Sequence, residues 1–125
     1  LGCSLKKLSK RTVPTDIALQ SWYPLGGRGN NSIMSEKIIE SLAQKYNKSN
    51  AQIILKWHIQ MGYIVIPGAR SENHINENIN IFEFKLTNEE MAEISQLNKN
   101  EPFYVRIDEA LKRFASWVPD VENQK

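Results

Sequence analysis

An α/β fold with parallel strands is what this sequence predicts, on three observations. The hydrophobic period changes along the chain, from apolar residues every three or four positions to short continuous apolar runs and back. Two runs read as strands, Ile17–Trp22 and Tyr63–Ile66, and helical pattern rather than a tight turn fills the space between them. Proline or glycine closes each run. The order is strand, helix pair, strand, helix, helix, which is that of crossover-linked parallel strands.

The elements follow in order. Residues 1–15 carry Leu1, Leu5 and Leu8 at helical spacing until Pro14 stops the pattern. This segment is basic: Lys6, Lys7, Lys10 and Arg11 precede the first acidic residue, Asp16. The first strand lies between Pro14 and Pro24, and "PLGGRG" follows it. Ser35 is expected to cap a helix, with Met34 and Ile39 as its hydrophobic staple. Ile38, Ile39, Leu42 and Tyr46 share one side of that helix; Glu36, Lys37, Glu40 and Lys45 face water.

Asn50 is expected to cap the second helix, whose buried stripe is Ala51, Ile54, Leu55, His58 and Ile59, with Gly62 as its stop. Trp57 lies opposite that stripe and is expected to pack against a neighbouring helix or a wall of the fold that this chain lacks. Tyr63–Ile66 is continuously apolar, as expected of a strand buried on both faces. Pro67 and Gly68 break it, and Ser71 caps a helix with Ile75, Ile79 and Phe82 inside. Thr87 and Glu90 have capping-box spacing, with Leu86 and Met91 as staple and Met91, Ile94 and Leu97 as stripe. A short helix around Asp108–Ser116 presents Leu111 and Phe114.

Composition bounds the function. With 41% hydrophobic and 24% charged residues, the 125-residue chain is that of an ordinary globular domain. A net charge of +2 gives no case for nucleic acid, and the basic N-terminal segment reads as a solvated face. One cysteine, Cys3, rules out an internal disulfide and any Cys/His metal spacing, and fits a reducing, cytoplasmic setting. No apolar run is long enough for a membrane span. The first residue is Leu1, not Met, which suggests a piece of a longer protein. Two parallel strands also leave open edges that ask for neighbours.

Individual polar residues have mostly structural readings. His58, among Ile54, Leu55 and Ile59, reads as a hydrogen-bonded core histidine. His74 sits in a cap-proximal turn, as a surface residue or a weak phosphate contact. Glu89, Glu90 and Glu93 read as helix charges favoured near the positive dipole end. "WYPLGGRG", Trp22 to Gly29, is more pointed. An aromatic pair ends a strand, and backbone nearly free of side chains follows with one cation, a pattern suited to a phosphate or to a flexible connector.

"SWYPLGGRG", "LAQKYNKSNAQIILKWHIQMGYIVIPGARS", "INENINIFEFKLTNEEM" and the segment around Phe103 and Tyr104 together resemble the C-terminal part of an aldo-keto reductase. The resemblance covers roughly residues 16–100, leaving 1–15 as a divergent basic segment and 101–125 as a tail with a short helix. It implies a partial TIM-type (β/α)8 barrel, built here from its last two strand–helix units. It further implies an NADP-dependent oxidoreductase acting on aldehydes or ketones, with the cofactor across the barrel's C-terminal mouth. The implied partners are NADPH, a small carbonyl substrate and the N-terminal half of the barrel, with no nucleic acid and no membrane.

Carried over by residue, the resemblance implies that Trp22 stacks on the nicotinamide. The backbone of Tyr23, Pro24, Leu25, Gly26 and Gly27 flanks the pyrophosphate, with Leu25 shaping the pocket and Arg28 as a cation. After the second strand, Pro67, Gly68 and Ala69 stand where the family often has Pro-Lys-Ser, and Arg70 and Ser71 resemble the basic or polar residue that follows Pro-Gly-Ala in a subset of relatives. Arg70 and the following helix terminus then hold the 2′-phosphate, and Glu77 and Asn78 contact the adenine end. Trp117 falls where the family lines its substrate pocket. The family's catalytic Asp, Tyr, Lys and His lie on earlier strands, so no residue here is assigned catalysis and this chain alone is expected to be inactive. Alternatives are a non-catalytic dinucleotide-binding module and an inactive barrel fragment.

Overall fold

The computed structural model describes residues 18–26, 32–98 and 108–117. Residues 1–15, the Gly27–Arg28 pair and the Phe103–Tyr104 segment, each singled out above, lie outside the described residues. The fold is α/β. Strand β1 is Gln20–Ser21, followed by a 3-10 turn over Ser32–Ser35, helix α1 (Lys37–Tyr46) and helix α2 (Asn50–Gln60). Strand β2 is Ile64–Val65; helices α3 (Glu72–Ile79), α4 (Asn88–Gln96) and α5 (Asp108–Ala115) complete the order. The strands pair in parallel, Gln20 with Ile64 and Ser21 with Val65, so the predicted class holds. Each ladder is far shorter than its apolar run.

Helix starts differ from two of the four expected caps. Ser35 ends the 3-10 turn instead of capping α1; Glu36 is the N-cap, in extended backbone and without a side-chain cap bond. Ser49, not Asn50, caps α2. Its hydroxyl accepts from Gln52 N–H while Gln52 Oε1 accepts from Ser49 N–H, a complete capping box. Asn50 instead donates its side-chain amide to the Met34 carbonyl at 2.7 Å, tying the 3-10 turn to α2. Ser71 and Thr87 cap α3 and α4 as expected, the latter in a full box with Glu90.

The core forms where α2 meets α1, β2 and α4. Ile39, Ile53, Ile54, Leu86 and Ile94 are essentially sealed from solvent, each contributing on the order of 1.5–3 kcal/mol relative to exposure. Helix α2 is buried almost all round, from Gln52 through His58. The narrow stripe expected for it is therefore too narrow, and Ala51 and Ile59 at its margins are only half-buried. Gln60 at its end clasps Leu86, donating to the Leu86 carbonyl at 2.9 Å and accepting from its N–H at 2.7 Å. His58 Nδ1 donates to the Ile54 carbonyl at 2.8 Å, so it is the core histidine its neighbours predict.

Two burial expectations are overturned. Tyr63 is buried, but Ile64 and Ile66 are exposed, so β2 is covered on one face only. Ile75, Ile79 and Phe82 are exposed as well, at 49%, 62% and 68%. Helix α3 instead turns Glu77, about half a revolution from Ile75 and Ile79, into partial burial near α2, with Asn78 beside it also half-buried. The apolar periodicity is locally sound, but the described residues leave that face largely open, Lys56 Nζ lying over the Phe82 ring at 5.7 Å. No helix of the described residues is long and apolar enough to cross a membrane.

Candidate cofactor site

The parallel register decides where the candidate residues gather. Because Ser21 lies beside Val65, the chain leaves both strands at the same edge, through Trp22 on β1 and through Ile66 and Pro67 on β2. At the first exit Trp22 is 64% exposed. Its ring lies 4.7 Å from that of Tyr23, centroid to centroid, with the planes tilted by 54°. Tyr23 has φ +48°, a left-handed conformation that costs a side-chain-bearing residue about 1–2 kcal/mol. That backbone reversal turns the chain out of the strand just where the sequence expects a ligand.

A tight turn follows. Gly26 N–H donates to the Tyr23 carbonyl at 2.9 Å. Pro24 has the φ such a turn favours at its second position, and Gly26 carries φ +97°. The turn limits which loop amides can meet a phosphate. Gly26 N–H is used within the turn and Pro24 has none, so neither donates to a phosphate in this conformation. Leu25 is half-buried and packs against the core, holding the turn in place. Arg28 lies outside the described residues.

At the second exit Pro67 is half-buried, while Gly68, Ala69, Arg70 and Ser71 are exposed. A Cβ added to Gly68 would meet nothing within 4 Å, so open space adjoins this backbone. Ser71 Oγ accepts from His74 N–H at 3.3 Å, fixing the first turn of α3. Glu72 in that turn places a carboxylate beside the helix's positive end. Arg70 is accordingly the group here that can offset it and attract an anion. His74 is exposed, in keeping with its surface reading.

Glu77 and Asn78 lie further along α3. Six residues at the helical rise put Glu77 about 9 Å from Ser71. Both are half-buried. Ser49 Oγ donates to Glu77 Oε2 at 3.4 Å, and Gln52 Nε2 donates to the Glu77 carbonyl at 2.9 Å. Sequence reasoning missed Ser49 and Gln52 as partners of this region. Their S-x-x-Q spacing signals the cap, but nothing local signals the reach to Glu77. Trp117 is exposed beyond the end of α5. The structure thus brings Trp22 to Gly26 and Pro67 to Ser71 to one edge, and starts from that edge the helix bearing Glu77 and Asn78.

The sequence model described as "Aldo/keto reductase family" matches residues 16–99. The chain is 44% identical over 82 residues to a methylglyoxal reductase of Yersinia pestis, covering 66% of this chain and 29% of that protein. It is 40% identical over 86 residues to a 9,11-endoperoxide prostaglandin H2 reductase of Trypanosoma cruzi, covering 69% and 30%. Among solved structures, a Gox0644 mutant in complex with NADPH aligns with a TM-score of 0.72 and 30% identity, over 81% of this chain and 36% of that one. The chain spans about a third of the length of the curated relatives it matches. Its fold class is that of part of a (β/α)8 barrel.

Proposed function

The chain belongs to the aldo/keto reductase family, and on that premise we propose that it is the cofactor-holding, C-terminal portion of an NADP-dependent carbonyl reductase. Residues 16–100 form the cofactor-binding unit and 101–125 a tail. The observation that carries this reading is the shared exit edge: the parallel pairing of Ser21 with Val65 sends an exposed indole and an Arg-Ser helix start out of the same end of the sheet. The NADPH in the similar Gox0644 structure supports the choice of cofactor.

When bound, NADPH supplies the hydride that, with one proton, takes a carbonyl to an alcohol. This chain's residues bind and orient. Trp22 offers a flat apolar wall for the nicotinamide, and its tilt against Tyr23 limits the angles it can take. The Tyr23–Gly26 turn, anchored by Leu25, shapes the pocket beside the pyrophosphate, with Arg28 as its cation. Arg70, Ser71 and the first turn of α3 hold the 2′-phosphate, where the Arg fork suits a dianion. Glu77 and Asn78 face the adenine end. The proton donor is assigned to no residue of this chain.

Adding NADPH to the chain is expected to quench tryptophan emission saturably, and Trp22→Ala is expected to weaken binding about tenfold, the equivalent of one good ring contact. A titration curve unchanged by Trp22→Ala, or no saturable quenching at all, would overturn the reading. Trp22→Phe, which retains a ring face, should restore most of the affinity.

A further inference from the structure

We infer that Gln52 is a positioning residue for the adenine end of the cofactor, acting through Glu77; this deepens the cofactor reading above and rests on it. Gln52 is 5% exposed and its side-chain amide is fixed from both sides. Its Oε1 accepts from Ser49 N–H at 2.9 Å, and its Nε2 donates to the Glu77 carbonyl at 2.9 Å. Ser49 Oγ, which accepts from Gln52 N–H, donates in turn to Glu77 Oε2 at 3.4 Å. One side chain therefore joins the start of α2 to the backbone of α3 at the residue proposed to meet adenine, and its capping partner touches that residue's carboxylate.

The residue type carries the argument. A capping box needs only an acceptor at this position, and glutamate serves as well as glutamine. Glutamate could not donate to the Glu77 carbonyl, and its charge would face the Glu77 carboxylate. The Glu77 carbonyl belongs to the last turn of α3, where carbonyls lack helical partners. The amide of Gln52 supplies the missing donor. Held this way, the last turn of α3 cannot rotate Glu77 away without breaking a partly buried hydrogen bond.

Gln52→Glu separates this role from simple capping, because it retains the box and removes the donation. NADPH affinity is expected to fall five- to tenfold, about one hydrogen bond's worth. Affinity for reduced nicotinamide mononucleotide, which lacks the adenine half, should stay unchanged. In a Glu77→Ala background the same substitution should have no further effect on NADPH, because the carboxylate it positions is gone. Gln52→Leu, which loses both bonds without adding charge, should show the same selective loss. Equal weakening of both ligands would mark a structural residue only, and additive losses with Glu77→Ala, or native NADPH affinity in Gln52→Glu, would also overturn the inference. If Trp22→Ala weakens NADPH as expected while Gln52→Glu does not, this inference alone falls. If the native chain does not bind NADPH, both fall.

Discussion

Replacing Trp57 with alanine is expected to lower stability by about 3–5 kcal/mol, measured as a shift in urea midpoint at unchanged slope. Trp57 is 3% exposed and is the largest side chain in the core cluster. Its ring meets His58 edge-on at 5.0 Å and 88°, and Tyr63 at 6.3 Å and 63°. Its Nε1 donates to the Met91 carbonyl at 3.2 Å, which ties α2 to α4. Alanine would leave a cavity among three elements that cannot collapse together. Trp57→Phe, which loses the hydrogen bond but little volume, should cost about 1–2 kcal/mol. A loss below 1 kcal/mol for Trp57→Ala would mean that α2 is not the centre of the fold.

Glu90→Ala should cost about 2–4 kcal/mol, because one carboxylate serves three donors and all three lose it. Glu90 Oε1 accepts from Lys45 Nζ at 2.7 Å; Oε2 accepts from Tyr46 Oη at 2.7 Å and from Thr87 N–H at 2.7 Å. Lys45 is largely exposed, so its ion pair is the smaller part; Tyr46 and the cap dominate. Burial pushes the Glu90 carboxyl up, but hydrogen bonds from Lys45, Tyr46 and Thr87 outweigh it and hold it below the ordinary carboxylate value. The sign follows from that lowering. A carboxyl depressed in the folded state adds stability above its unfolded value, near pH 4.3, and loses it as pH falls through the folded value. Urea midpoints should therefore drop below about pH 4.5, and Glu90→Gln should flatten that drop. An equal drop in both proteins would exclude Glu90 as its source.

Much of this architecture was legible because it rests on local chemistry. Thr87 and Glu90 bear the capping-box spacing, whereas Asn88, the other cap-forming residue beside them, has Met91 three positions on and can form no box. At the start of α2 two cap-forming residues, Ser49 and Asn50, stand side by side; only the glutamine three positions after Ser49 decides between them. The shared exit edge was implied by the parallel crossover order. Exposure was harder to read. Ile64, Ile66, Ile75, Ile79 and Phe82 have the periodicity of buried residues, yet periodicity cannot tell which neighbouring surface is present to cover them. The left-handed Tyr23 and the Gln52–Glu77 bond were also beyond reach. One is a backbone state its residue type disfavours, and the other joins positions 25 residues apart.

The most direct measurement follows the indole N–H resonances of the three tryptophans while NADPH is added to isotopically labelled protein. An indole ring against the nicotinamide requires the Trp22 signal to move saturably while that of Trp57, sealed in the core, stays fixed. A Trp22 signal that remains in place at saturating NADPH, or a Trp57 signal that moves instead, would contradict the account.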